Sequence, residues 1–254
     1  MTLSLSIAVI TRDEEQRLPA CLRSAAFADE IVVVDAGSRD RTVAIARNFG
    51  CRVHEQPWLG FARQKQLAVN LCRHDWVLIL DADERVPPDT AARIGRLPLD
   101  GAAPAAAYSF TRRNVFHGRW IRRCGWWPDR VTRLVDRRRG RFSTRLVHEQ
   151  WLADGPVQPL EVSLEHRSFN GYADLVTKMQ RYSTLSAREM RAAGDRARWW
   201  SAPAHGGWMF FTTYVLQLGV LEGFDGFMIA ALNAGGSFLK YAKLYELQRY
   251  GEAE

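Results

Sequence analysis

The chain predicts an α/β fold, a Rossmann-like, mostly parallel sheet followed by a helical extension. Three observations predict it. The aliphatic runs Ile31-Val32-Val33-Val34 and Val77-Leu78-Ile79-Leu80 lack polar alternation, as strands buried on both faces do. Segments of helical length separate the strands, which is the strand–helix alternation of a parallel sheet. Each of these two runs also ends abruptly in acid, Asp35 in one and Asp81-Ala82-Asp83 in the other. In such sheets ligands collect at the carboxyl ends of strands.

In chain order, residues 3–10 alternate and then become continuously apolar, as a first buried strand would. Its apolar run is too short for an export signal and has no basic residue before it. A helix is expected through 18–24, ending near 28, and then the second strand runs into Asp35, a glycine turn and a helix start at Asp40 or Thr42. That helix continues over 44–49 and stops at Gly50. A short third strand is expected at 51–55, a helix over 60–71, the strand 76–80 and a helix over 90–97. From 101 a low-information spacer leads to a strand at 107–110.

With 254 residues and 47% hydrophobic composition, the chain can bury one domain's core plus an appendage. A formal net charge of +7 points to an anionic partner such as a nucleotide, nucleic acid or membrane lipid. Cys21, Cys51, Cys72 and Cys124 are dispersed without a CxxC pair. That favours reduced cytosolic thiols over a disulfide scaffold or zinc site.

Two aspartates at a strand tip are costly neighbours unless a cation lies between them. Oxygen ligands favour Mg²⁺ or Mn²⁺, which use one or two carboxylates plus substrate phosphates. The plainer reading is that Asp81 and Asp83 start a polar loop or cap the helix after Pro87-Pro88. Asp35 suits ribose hydroxyls or a base N–H, and Asp40 and Thr42 are better placed to cap. Thr11 ends the first strand, so three polar tips would share one crevice. Neither GxxxxGK[ST] nor GxGxxG occurs.

Residues 112–145 are dense in arginine and aromatics. They could stack on nucleic-acid bases, hold phosphates or form a solvated basic face, but no nucleic-acid-binding signature is present. Glu149, after Val147-His148, could act as general base on an acceptor hydroxyl. His166 reads as structural or solvent-facing. From 172 the chain is helical, with apolar stretches 206–221 and 226–239 separated by Glu222 and Asp225. Neither reaches the ~20 residues that span a bilayer. Arginines and tryptophans beside them fit a protein lying on a membrane surface, and a helical pair packed on the catalytic domain or at a dimer interface fits equally.

Ile7 to Thr11 with Glu14-Glu15, the run from Ile31 to Thr42, and Asp81-Ala82-Asp83 resemble glycosyltransferase family 2. The finer resemblance is to its lipopolysaccharide core-biosynthesis branch, the inner-core β-1,4-glucosyltransferases. It rests on Trp58-x-Gly60-Phe61-x-x-Gln64-Lys65, Gly125-Trp126-Trp127-Pro128-Asp129, Leu146-Val147-His148-Glu149 and the run from Leu221 to Gly226. The resemblance implies a GT-A fold, with 1–165 catalytic (1–100 for the nucleotide sugar, 101–165 for the acceptor) and 166–254 a helical extension contacting membrane or a partner subunit. It implies an inverting, metal-dependent enzyme moving glucose from UDP-glucose to the inner-core heptose, peripheral on the cytoplasmic face of the cell membrane. The alternatives are a polyisoprenyl-phosphate or other cell-surface glycan acceptor, or a non-catalytic basic membrane or nucleic-acid-binding protein. By resemblance, Thr11, Glu14, Asp35, Lys65 and Asp81 hold the nucleotide sugar, Asp83 the Mg²⁺ or Mn²⁺, and Glu149 activates the acceptor. Trp127, Asp129, Arg130 and His148 are candidates for acceptor or phosphate contacts. Two departures stand out: His-Glu replaces the commoner Glu-Asp at 148–149, and Asp13 replaces the commoner Asn.

Overall fold

A computed structural model describes residues 4–99, 104–143 and 150–251. The chain divides into two compact units, Met1–Arg113 with Asp129–His166, and Asn114–Pro128 with Arg167–Glu254. The second unit thus takes in 114–128 as well as the helical region expected from 166 onward.

The first unit is a mixed sheet covered by helices. Its parallel half uses β1 (Leu5–Thr11), β2 (Glu30–Asp35), β3 (Arg52–Glu55) and β4 (Trp76–Asp81) in the order β3-β2-β1-β4. The intervening helices are α1 (Leu18–Ser24), α2 (Thr42–Asn48) and α3 (Phe61–Leu71). Aliphatics dominate β1, β2 and β4 because both faces are covered, whereas the edge strand β3, Arg-Val-His-Glu, is mostly exposed. Leu5, Ile7, Val9, Val33, Leu78 and Leu80 pack with Leu18 and Leu22 of α1 on one face. Ala8, Val32, Val34, Val77 and Ile79 pack with Ala62, Ala68 and Val69 of α3 on the other. Each such leucine or valine contributes about 2 kcal/mol by burial. Short β5 (Glu84–Arg85) and α4 (Pro88–Ile94) follow β4.

Beyond β4 the sheet turns antiparallel, in the order β8-β6-β11-β5, with β6 (Ala107–Phe116), β8 (Asp129–Asp136) and β11 (Val157–His166). The sequence reading anticipated the first residues of β6 and, in a strand-like 162–164, part of β11. β8 was obscured by Arg130, Arg133 and its flanking acids. β9 (Gly140–Phe142) and β10 (Trp151–Ala153) pair antiparallel as a separate two-stranded sheet. A mixed sheet with a parallel nucleotide-side half is the α/β architecture expected of a GT-A domain.

In the second unit, β7 (Arg119–Trp120) folds back on the end of β6, pairing Val115 with Trp120. Its helices are α5 (Tyr172–Ala192), α6 (Ser201–Phe211) and α7 (Gly223–Tyr250). Phe116, Ile121, Cys124, Leu175 and Ile229 form one core cluster, and Ala187, Ala197 and Leu244 another. The uniformly apolar 206–221 is not one helix. A π-helical turn (Thr212–Leu216), a left-handed Leu218 at φ 56° and a 3-10 turn (Gly219–Glu222) break it. A Cβ on Gly226 would lie 1.9 Å from the Gly219 carbonyl oxygen, so the break closes only with glycine there. Among the described residues no single helix is long and apolar enough to cross a membrane; 201–216 and 219–250 are bent by 67° at the break. All four cysteines are buried free thiols.

Candidate active site

Strand register assembles the site. Thr11 lies beside Asp35 on β2, and Ile10 beside Asp81 on β4, so three adjacent tips present Thr11, Asp35 and Asp81 together. Asp35 is fully buried. Its Oδ1 accepts from the backbone N–H groups of Gly37 (3.0 Å) and Ser38 (2.8 Å). Its Oδ2 accepts from Thr11 Oγ1 (2.8 Å) and from Ser38 Oγ. These donors occupy the acceptor positions of a carboxylate. A ligand donor reaches Asp35 only by replacing one of the hydroxyls.

The loops after β1 and β2 latch together. Asp13 N–H donates to Ser38 Oγ (2.8 Å), and Arg39 N–H donates to Asp13 Oδ1 (2.7 Å). Glu14 N–H donates to Thr42 Oγ1 (2.8 Å), and Glu15 N–H to Asp40 Oδ2 (3.0 Å). Asp13 adopts φ 54°, a conformation that Asn and Asp tolerate better than other side chains. That accounts for Asp standing where Asn is commoner. The Glu14 carboxylate lies 3.4 Å from Arg17.

The tip of β4 sits in a charge network. Asp81 Oδ1 is 2.8 Å from Lys65 Nζ, and its Oδ2 accepts from Arg133 Nη2. Arg133 also donates to Glu84 Oε1 at 2.7 Å, while Glu84 Oε2 accepts the Asp81 backbone N–H at 3.1 Å. Arg112 lies 3.4 Å from Glu84 and donates to Asp129 Oδ2 at 2.8 Å. Burial alone would raise the Asp81 carboxyl, but Arg133 and Lys65 outweigh it and hold the group far below the usual carboxylate range. Burial would likewise lower Arg133, and Asp81 and Glu84 instead raise it above its ordinary value. These contacts exclude the helix-capping reading of Asp81; α4 has no side-chain cap.

β5 pairs with β11 so that Glu84 faces His166 in register. Of the sequence reading of His166 as structural or solvent-facing, the solvent-facing alternative is corrected. The His166 Nε2 lies 3.6 Å from Asp83 Oδ2, and both side chains are largely buried. Among the described residues no three His, Cys, Asp or Glu side chains gather as a cage. A carboxylate oxygen and an imidazole nitrogen this close fit two ligands of a divalent ion that completes its shell with water and substrate phosphates.

The family model of glycosyl transferase family 2 matches residues 6–151, more than half of the chain, and takes in Thr11, Asp35, Asp81 and Asp83 but not His166. The chain belongs to glycosyl transferase family 2. This family 2 enzyme is a glycosyltransferase. It is 30% identical over 263 residues to the lipopolysaccharide core biosynthesis glycosyltransferase LpsC of Rhizobium meliloti, covering 96% of this chain and 93% of that one. It is 28% identical over 258 residues to an uncharacterized glycosyltransferase of Rickettsia bellii, covering 97% and 88%. Among solved structures, the Staphylococcus aureus TarS fragment 1–349 aligns at 14% identity and TM-score 0.46, covering 98% of this chain and 92% of that chain. Glucosyl-3-phosphoglycerate synthase of Mycobacterium tuberculosis, solved with Mn²⁺, UDP and phosphoglyceric acid, aligns at 22% identity and TM-score 0.36 over 43% of each chain.

Of the residues singled out in the sequence, Thr11, Asp35, Lys65, Asp81 and Asp83 lie on or directly after the strand tips and α3, and Glu14 in the latched loop. Asp129 starts β8 against Arg112, and Arg130 follows it, exposed. Trp127 is half-buried, edge-on to Trp120 at 4.8 Å. His148 and Glu149 lie outside the described residues. Sequence reasoning did not single out Ser38, Glu84 or Arg133, and gave His166 a structural or solvent-facing place. Ser38 was legible as an Asx-turn partner of Asp35. The other three depend on pairings of β5, β8 and β11 that no local pattern encodes.

Proposed function

We propose that this enzyme transfers glucose, with inversion, from UDP-glucose to a heptose of the lipopolysaccharide inner core. The carrying observation is the set of three neighbouring strand tips, Thr11, Asp35 and Asp81, with the Asp83–His166 pair beside them. Membership of family 2, the likeness to LpsC and the motifs at 125–129 and 146–149 support the donor and acceptor assignments.

In this reading Thr11 and Glu14 receive the N–H and hydroxyl donors of the nucleoside, and Asp35 does so when a ligand donor displaces the Thr11 or Ser38 hydroxyl, since oxygen acceptors are what such donors need. Lys65 and Arg133, both fixed by Asp81, keep positive charge at the tip of β4 where a diphosphate would lie. Asp83 and His166 would hold the Mg²⁺ or Mn²⁺. A divalent cation there supplies charge to the diphosphate oxygens as the sugar–phosphate bond breaks. Glu149 takes the proton from the attacking hydroxyl. One displacement on an α-linked donor leaves a β-linked product. A lipid-linked acceptor places the work at the membrane, so the enzyme is peripheral on its cytoplasmic face.

The test is UDP release from a panel of UDP-sugars with Mg²⁺ or Mn²⁺, with and without truncated lipopolysaccharide. Release from UDP-glucose that requires the heptose-bearing acceptor is expected. Release with a polyisoprenyl phosphate instead would reassign the acceptor. Asp83→Ala is expected to weaken metal-dependent UDP binding at least about tenfold; unchanged binding would remove the metal assignment. Glu149→Gln should lower turnover by about a hundredfold or more with the donor still bound.

A further inference from the structure

The break between α6 and α7 carries a surface that the transfer reaction does not use. α6 lies against α7, with the His205 ring stacked on Tyr241 at 3.8 Å and Phe210 meeting Phe227 edge-on at 6.1 Å. At the knuckle the apolar side chains point outward. Trp208, Phe211, Leu216, Leu221 and Phe224 are 62%, 44%, 58%, 65% and 68% exposed. Large apolar side chains exposed this densely within one stretch mark an interaction site.

The same stretch holds two acids, and the fold turns both inward. Glu222 Oε1 accepts the Arg122 backbone N–H at 2.9 Å. Asp225 accepts from the Tyr172 hydroxyl (2.7 Å) and Arg119 Nη2 (2.8 Å), and lies 2.9 Å from His117 Nδ1. Arg122 and Arg123 remain exposed beside them, the Arg122 guanidinium lying 4.3 Å from the centre of the Trp120 ring. The outward surface is therefore apolar with a cationic edge, and its negative charge is spent internally. A second copy packed here about a two-fold axis would bring arginines towards their own counterparts. An anionic lipid surface meets the same arginines with phosphates.

We propose that the knuckle between α6 and α7 enters one leaflet of a bilayer with anionic headgroups, burying Leu216, Leu221 and Phe224 and setting Arg122 and Arg123 on the phosphates. Trp208 lies at headgroup level, where tryptophan is favoured. Neither side of the bend is long and apolar enough to span a bilayer alone, and the 67° bend between them suits a pair that enters and turns back. The inference rests on the proposed lipid-linked acceptor for its purpose, and it identifies the lipid surface as the enzyme's partner.

The full chain is mixed with vesicles of phosphatidylcholine alone, or of phosphatidylcholine with phosphatidylglycerol, and sedimented. Binding to the anionic vesicles is expected, about tenfold weaker for neutral ones. The double variant Leu221→Glu/Phe224→Glu should lose about tenfold or more of that binding. Arg122→Glu/Arg123→Glu should lose the preference for anionic lipid. Circular dichroism and UDP affinity of each variant are read alongside, because neither pair belongs to the catalytic site. If the first variant unfolds, vesicles brominated near the headgroup test the wild-type chain: tryptophan quenching is expected and should fall in Trp208→Phe. Absence of quenching, or a folded double variant that sediments like the wild type, overturns the proposal. So does a wild-type dimer that ignores vesicles and becomes monomeric in the double variant. Vesicle binding without UDP binding would instead count against the transferase reading alone.

Discussion

Arg133 is the residue on which the strand-tip charges depend. It joins Asp81 to Glu84, and Glu84 is fully buried. Replacing one member of a buried pair leaves an uncompensated charge, which costs about 3–5 kcal/mol. Arg133→Met should therefore lower unfolding free energy at neutral pH by about 3 kcal/mol, read from urea unfolding. The pH dependence follows from Asp81, whose folded carboxyl is held far below the usual range. Such a group stabilises fully above its unfolded value, ~3.9, and the contribution is lost as pH falls below that toward the folded value. The gap between wild type and Arg133→Met should accordingly be widest above pH ~4 and shrink below it; a constant gap would show that Asp81 does not carry it. Asp35, Asp81 and Asp83 were legible because a carboxylate directly after an aliphatic run has few structural uses. Arg133 was not, since one arginine among many in 112–145 has no local mark of burial.

At the scale of elements, the parallel strands were legible and the antiparallel ones only in fragments. β2 and β4 advertise two covered faces through unbroken aliphatics, whereas β8 carries charge at Asp129, Arg130, Arg133 and Asp136. Its partners, β4 and β6, come from distant sequence and make those charges tolerable. The break between α6 and α7 was equally hidden, because residues 206–221 are apolar on both sides of it. Its signature was the glycines, which only the crossing explains. Gly226→Ala would place a methyl group 1.9 Å from the Gly219 carbonyl oxygen, against backbone that has little room to move. Overpacking of this kind costs about 1–3 kcal/mol or more. Lowered thermal stability is expected for Gly226→Ala, against a neutral result for Gly207→Ala, where a Cβ meets nothing within 4 Å; equal stability of the two would refute the close crossing.

At the scale of the whole molecule, the net charge of +7 acts at a distance that no single contact reaches. Anionic donors should be drawn in before they touch the site, and salt screens that attraction over ~10 Å at 0.1 M. The association rate of the proposed donor, UDP-glucose, should fall by about two- to fivefold between ~50 and ~500 mM salt, while its dissociation rate changes less. Stopped-flow measurement of both rates checks this, and a salt-independent association rate would contradict it.

The bonds that latch residues 13–15 to 38–42 have a consequence for anyone recombining this scaffold with a relative. Each loop completes the other's hydrogen bonds, so the pair is inherited as one cassette. A chimera that exchanges only one of them strands backbone donors on both sides of the crossover, whereas one that moves both keeps these hydrogen bonds intact. Crossover points placed between residues 16 and 37 should therefore be the ones that libraries of hybrids lose.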